Sequence, residues 1–141
     1  MNSLTIFTDG GARGNPGLAA IGVVIKNEGG SNLASLFRTI GQTTNNVAEY
    51  KAVIAALMWL KSNRVIEQLR NTKINFFLDS KLVVNQLNGL FKVKDSELRE
   101  LLLEARMLEQ EIGGEIHYQL IPRERNWEAD ALVNKALDEN S

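Results

Sequence analysis

Apolar and polar positions divide the chain into short apolar runs closed by glycine or asparagine and longer apolar stretches at helical spacing. Leu4 to Asp9 reads as a strand that runs straight into an acid. Leu18 to Lys26 is a second strand, almost wholly apolar, and Leu33 to Gly41 a third. The stretch Asn27 to Asn32, with Gly29 and Gly30, makes a hairpin loop between them. The opening is therefore a three-strand meander with Asp9 on its first strand. Asn46 to Lys61 is apolar nearly all round, the pattern of a helix enclosed by neighbours, and Thr44 or Asn45 is placed to cap it. Ser62 to Thr72 is a polar connection to a fourth strand, Lys73 to Leu78, which ends in Asp79. A helix starts at once after Ser80 and stops at Gly89.

The second half follows the same grammar. Leu90 to Lys94 is a short connector. Asp95 caps an amphipathic helix whose packing face is Leu98, Leu101, Leu102, Ala105, Leu108 and Ile112, and whose glutamates make a solvated face. Gly113 and Gly114 end it. Glu115 to Ile121 alternates as a fifth strand, Pro122 to Arg125 is a basic loop, and Asn126 is placed to cap a last helix packing through Ala129, Leu132, Val133, Ala136 and Leu137. The pattern predicts an α/β fold in a single domain over residues 1–141.

Composition narrows the chemistry. The chain has 141 residues, 44% of them hydrophobic and 23% charged, enough for one core without covalent staples. Cysteine is absent, which excludes disulfides, thiolate metal sites and a cysteine nucleophile. The longest apolar run, near Val53 to Leu60, is too short to span a bilayer, and no signal-peptide pattern precedes the first strand. These features give the expectation of a cytoplasmic protein with no membrane contact. A net charge of −1 argues against a grip on nucleic acid through global charge, while leaving room for local basic patches.

Four acids stand where elements begin or end, next to apolar sequence: Asp9, Glu49, Asp79 and Asp130. Glu49 lies one turn inside an apolar helix, a costly place for a carboxylate unless something compensates, though an early acid also suits the helix dipole. Asp9 precedes Gly10, Gly11, Gly14, Asn15, Pro16 and Gly17, a stretch that lets a bulky ligand come close and that would equally serve an ordinary turn. If the four carboxylates converge they repel, and a divalent ion is the usual resolution. With no cysteine and a single histidine, His117, on an alternating strand, the donor set is all oxygen and favours Mg²⁺ or Mn²⁺. Spacing along the sequence leaves the convergence itself open.

The motifs resemble those of the type 1 ribonuclease H family. Its D-G-[GS]-x-x-x-N-P-G is matched by Asp9, Gly10, Gly11, Asn15, Pro16 and Gly17; its T-N-N-x-x-E-[LY]-x-A by Thr44, Asn45, Asn46, Glu49, Tyr50 and Ala52. Its strand-ending D-S is matched by Asp79 and Ser80, and its late A-D-x-L by Ala129, Asp130 and Leu132. The motifs come in the family's order and cover Leu4 to about Leu137. The resemblance implies a ribonuclease H-like fold, a mixed five-stranded sheet with three antiparallel strands first and two parallel ones after, flanked by helices. It implies an endonuclease that hydrolyses the RNA strand of RNA–DNA hybrids, leaving 5′-phosphate and 3′-hydroxyl ends. By the resemblance Asp9, Glu49, Asp79 and Asp130 ligate two Mg²⁺ ions, for which Mn²⁺ can substitute. Gly10, Gly14 and Asn15 correspond to positions near the RNA strand, Thr44, Asn45 and Asn46 to groups that contact the hybrid, Thr44 at a DNA phosphate, and Ser80 joins the substrate-binding set.

Two departures from the family stand out. Many members carry a histidine in the loop before the last acid; here that loop is IPRERN, His117 comes too early, and Arg123 resembles the arginine of archaeal-like members, which handles product phosphate. Many bacterial members also insert a basic helix where this chain has only Leu90 to Lys94. Lys92 and Lys94 either supply a reduced grip on the DNA strand or are solvated surface lysines. Other readings are a same-fold nuclease acting on DNA or double-stranded RNA, and a non-catalytic hybrid-binding module. No protein partner is expected, and the protein is expected to be a monomer.

Overall fold

A computed structural model describes residues 3–63 and 69–140. Strand β1 (Ser3–Arg13), β2 (Gly17–Lys26) and β3 (Asn32–Thr43) form the antiparallel meander. Helix α1 (Asn45–Ser62) crosses to β4 (Lys73–Leu78), α2 (Lys81–Leu87) and α3 (Ser96–Ile112) lead to β5 (Glu115–Leu120), and a 3-10 turn (Arg123–Asn126) opens α4 (Trp127–Glu139). The five strands lie in the order β3-β2-β1-β4-β5, with β4 parallel to both β1 and β5. This is the mixed sheet the motifs imply. Part of the polar connection expected over Ser62 to Thr72, residues 64–68, lies outside the described residues. Among the described residues, no helix is long and apolar enough to cross a membrane.

The large core fills one face of the sheet. Ile6, Ile21, Val23, Ile25, Ile74 and Phe76 meet Val53, Leu57 and Leu60 of α1 and Ala105 and Ile112 of α3, all buried. That explains why α1 is apolar nearly all round: it has the sheet on one side and α3 on the other. A smaller core on the opposite face packs Val133, Ala136 and Leu137 of α4 against Ala20 and Leu18. Helices α1 and α3 begin on side-chain caps and α3 ends on a glycine, as the sequence offers. Thr44 Oγ1 accepts from Val47 N (3.3 Å), Asp95 Oδ2 from Leu98 N (2.9 Å), and Gly113 closes α3 in the left-handed region at φ 75°.

Two expectations need correcting. Strand β1 does not end at Asp9 but continues to Arg13, because Gly10 to Arg13 keep pairing with β2 down to Leu18. Backbone pairing needs no side chains, so a glycine-rich stretch can extend a strand when a partner strand runs beside it. Asn126 does not cap α4 with its side chain; the side chain turns inward instead, toward β1 and Asp79.

Candidate active site

The sheet register assembles the acids. In the parallel pair β1–β4 the last matched residues are Phe7 and Phe77, so Asp9 and Asp79 each lie two residues further along. Side chains two apart on a strand share a face, which puts both carboxylates on the same face where β1 and β4 part company. Glu49 arrives from α1. Gly10 permits this: a Cβ there would lie 2.2 Å from the carbonyl carbon of Ala48, so the start of α1 sits directly on the strand. Gly10 N then donates to Glu49 Oε1 at 3.3 Å. Asp9, Glu49 and Asp79 offer oxygens within 4.8 Å of one another. Asp130, on the first turns of α4, lines the same cleft but lies outside that tight trio.

Burial and mutual repulsion set the charge state. Asp9 and Glu49 are only 7% and 6% exposed. Burial, reinforced by the negative charges of Asp79 and Asp130, pushes the Asp9 carboxyl up to about 7 from 3.8. Burial first, then the neighbouring Asp9 charge, raises Glu49 as well. Glu49 Oε2 is buried and has no hydrogen-bond partner. A buried carboxylate oxygen without a donor, on a residue clustered with two further carboxylates, is a poor structural device and a good ligand for a cation. The donor set is all oxygen and hard, which fits Mg²⁺ or Mn²⁺.

The cleft has a volume of about 270 Å³, and besides the acids its lining includes Arg13, Asn45, Arg123 and Asn134. Arg123 is exposed, with its Nη2 4.0 Å from Asp130 Oδ1. One rim is built by the two asparagine motifs holding each other. Asn15 Oδ1 accepts from Asn45 N (3.0 Å), and Asn45 Oδ1 accepts from Ala12 N (2.8 Å). Their carbonyl oxygens are thus engaged by the protein's own backbone, and the amide NH₂ groups are the donors left for a ligand. Gly14 and Asn15 are exposed at the β1–β2 turn, Asn46 is half-buried at the start of α1, and Thr44 accepts at the helix cap while its hydroxyl proton remains to donate. Ser80 caps α2, its Oγ accepting from Val83 N at 3.3 Å. Lys92 and Lys94 are on the connector, outside the cleft lining; Arg99 donates to the carbonyls of Val93 and Lys94 and ties that segment to α3.

Two residues that hold the cleft's acids escaped the sequence reading. Asn126 is fully buried, and its Nδ2 donates to both Thr8 O (2.8 Å) and Asp79 Oδ2 (2.9 Å). It therefore tethers the 3-10 turn to β1 and orients the Asp79 carboxylate. Its position before a helix suggested a cap, and nothing local signals a bond to a residue so far away in sequence. Asn134 donates to Asp130 O (3.2 Å) and Asp130 Oδ2 (3.4 Å) from one turn further along α4; the i, i+4 spacing of Asp130 and Asn134 was the available signal.

Comparison with known proteins agrees with this geometry. The reverse transcriptase-like family model matches residues 7–136. LC11-RNase H1, isolated from compost by a metagenomic approach, has a TM-score of 0.92 and 44% identity over 99% of both chains, and has also been solved in complex with an RNA/DNA hybrid. The bifunctional protein Rv2228c of Mycobacterium tuberculosis is 42% identical over 96% of this chain, and its N-terminal ribonuclease H domain superposes with a TM-score of 0.87. Ribonuclease HI of Halobacterium salinarum is 39% identical over 94% of this chain and 63% of its own length. The chain spans 35% of the length of the mycobacterial relatives. With a mixed sheet of this order, four acids around one cleft and these relatives along almost its whole length, the chain belongs to the type 1 ribonuclease H family.

Proposed function

We propose that this chain hydrolyses the RNA strand of RNA–DNA hybrids at the Asp9–Glu49–Asp79–Asp130 cleft, leaving 5′-phosphate and 3′-hydroxyl ends. The observation that carries the reading is the trio of carboxylates within 4.8 Å, one of them with a buried oxygen that no protein donor meets. A relative that covers the same length has been solved with an RNA/DNA hybrid bound, which supports the substrate.

Asp9, Glu49 and Asp79 would hold Mg²⁺, with Asp130 completing the set for a second ion and Mn²⁺ able to replace either. Bound there, the pair supplies an activated water on one side of the scissile phosphate and charge stabilisation of the leaving 3′ oxygen on the other. The chain's own residues do the placing. Asn126 fixes the rotation of Asp79 through its 2.9 Å bond, and Gly10 N holds Oε1 of Glu49, leaving Oε2 without a protein donor. The Asn15–Asn45 rim presents NH₂ donors to the substrate, where small residues such as Gly14 let a backbone or the 2′-hydroxyls of a wide minor groove come near. Arg123, an exposed cation at the mouth, suits the departing 5′-phosphate. The reading takes the working enzyme as a cytoplasmic monomer.

Labelled RNA–DNA hybrid, double-stranded RNA and double-stranded DNA, each incubated with Mg²⁺, test the proposal. The expected result is cutting of the RNA strand of the hybrid, with 5′-phosphate products and the DNA duplex left intact. Cutting of DNA, or an intact hybrid in both Mg²⁺ and Mn²⁺, would overturn it.

A further inference from the structure

A second pocket, of about 420 Å³, lies beside the cleft and is lined by Phe7, Phe77, Ile121, Glu124, Arg125 and Trp127. Its floor is the pair Phe7–Phe77, stacked with centroids 5.4 Å apart. These are the residues two positions before Asp9 and Asp79 on their strands, on the same sheet face. The pocket floor is therefore displaced from the acids by roughly 7 Å along the strands, two residues at the usual rise. The 3-10 turn joins the two sites: Arg123 lines the cleft and Asn126 donates to its Asp79, while Glu124 and Arg125 line the pocket.

The lining combines an exposed ring with charged side chains. Trp127 is 65% exposed at the first position of α4. Arg125 has no ion-pair partner among the described residues, whereas the neighbouring acid Glu128 is neutralised by Lys26 at 2.7 Å. Lys26 also stands 5.8 Å from the centre of the Phe7 ring. Flat rings, a free guanidinium and continuity with a nucleic-acid cleft are what a base-stacking site needs. Bases inside a duplex are already stacked on one another and cannot offer a face to Trp127. Only a nucleotide beyond the end of the hybrid can.

We propose that the Phe7–Phe77–Trp127 pocket binds an unpaired nucleotide of the RNA strand where that strand leaves the hybrid, its base stacked on Trp127 and its phosphate met by Arg125. Glu124, the pocket's single acid, is an acceptor for an exocyclic amine. The enzyme would then favour hybrids that carry a single-stranded RNA extension over blunt ones. This rests on the hybrid-cutting reading of the adjacent cleft.

The chain has two tryptophans, so Trp59→Phe leaves Trp127 as the sole reporter. Its emission is recorded on adding a blunt hybrid, or the same hybrid with about four unpaired RNA nucleotides at the 5′ or the 3′ end, and KM is measured for each. Expected are quenching and a KM roughly fivefold or more lower with one of the two extensions, the size of a single base stack. Trp127→Ala should erase that preference, and Arg125→Ala should reduce it. Equal KM and equal quenching with blunt and extended hybrids overturn the proposal, as does quenching that rises with protein concentration alone, which would mark the pocket as a contact between copies of this chain. Quenching by the extension in an enzyme that cuts no hybrid would sink the proposed function while upholding the pocket.

Discussion

A Cβ on Gly22 would lie 2.3 Å from the carbonyl oxygen of Ala129 and 3.1 Å from Val133 N. Gly22 is also the antiparallel partner of Asp9. One missing side chain thus sets how closely α4, carrying Asp130, approaches the strand carrying Asp9. Gly22→Ala must push the helix backbone away, since no flexible side-chain end is there to yield. The expected cost is about 1–3 kcal/mol of stability, the range for overpacking. Cleavage should fall further than the folded fraction does, as measured by circular dichroism and single-turnover kinetics at a temperature where the variant is fully folded. Full specific activity in the folded variant would show that Asp130 tolerates the displacement.

Asn126 and Asp79 form the other arrangement on which the cleft depends. Asn126→Ala leaves Thr8 O buried without its 2.8 Å donor and frees Asp79 to rotate. A stability loss of about 1–3 kcal/mol follows from the unsatisfied carbonyl. Turnover should drop at least tenfold at saturating substrate, with hybrid affinity little changed, because Asn126 is buried and reaches the reaction only through Asp79. Denaturant melts and kcat measured side by side check both parts.

Arg123 is expected to behave differently. It is exposed and its guanidinium stands 4.0 Å from Asp130, so deleting it removes no packing. Arg123→Ala should leave Tm unchanged and lower kcat more than it weakens hybrid binding. Unchanged kcat at saturation would shift the handling of product phosphate to Arg125.

How much of this was readable beforehand depends on the range of the interaction. The elements followed from local pattern, and so did the four acids: a carboxylate inside the apolar run Val47 to Leu60 is visible without a structure. The sheet order matched the motifs because the meander and the two strand–helix units leave few ways to pair. Three things were not legible. Asp9 looked like a strand end because glycines follow it, yet β2 supplies a partner down to Leu18 that keeps the strand going. Asn126 looked like a cap because caps are local, while its actual partners are Thr8 and Asp79. Gly10 was read for the approach of a ligand and Gly22 drew no reading, and only the approach of α1 and α4 to the sheet shows what their missing side chains permit.

The connector is where sequence and structure leave a choice that salt can decide. Lys92 is exposed and Lys94 exposed beside it, and Arg99 holds the backbone between them and α3. If they meet DNA phosphates, replacing both by Ala should weaken binding equally for all hybrid sequences. The slope of log Kd against log salt should shrink by up to about one unit for each phosphate no longer neutralised. An unaltered slope returns both to the solvated surface.

The sharpest test concerns the charge cluster itself. With no metal added, Asp9 titrates near 7 in the folded protein, against 3.8 for the ordinary carboxyl, chiefly because it is buried and secondarily because Asp79 and Asp130 are negative. Between those two values the folded protein keeps a proton that the unfolded chain has released. Raising the pH through that window therefore favours unfolding, and the full penalty is felt above about 7. Glu49 is shifted in the same direction and adds to the slope. Asp9→Asn keeps the shape and removes one charge, so the metal-free Tm of the variant should exceed that of the parent at pH 8. A relief of about 1 kcal/mol would give a difference of a few degrees. The difference should shrink toward zero as the pH falls below about 4, where the Asp9 carboxyl of the parent becomes protonated in the unfolded chain as well as the folded one. Added Mg²⁺ should reverse the order at pH 8, because only the parent retains the complete ligand set. The variant should cut no hybrid under any of these conditions. Melting curves at several pH values, with and without Mg²⁺, check the whole pattern. A parent and variant that melt alike across the range would mean that Asp9 carries no strain, and a variant that cuts at the parent rate would remove Asp9 from the site.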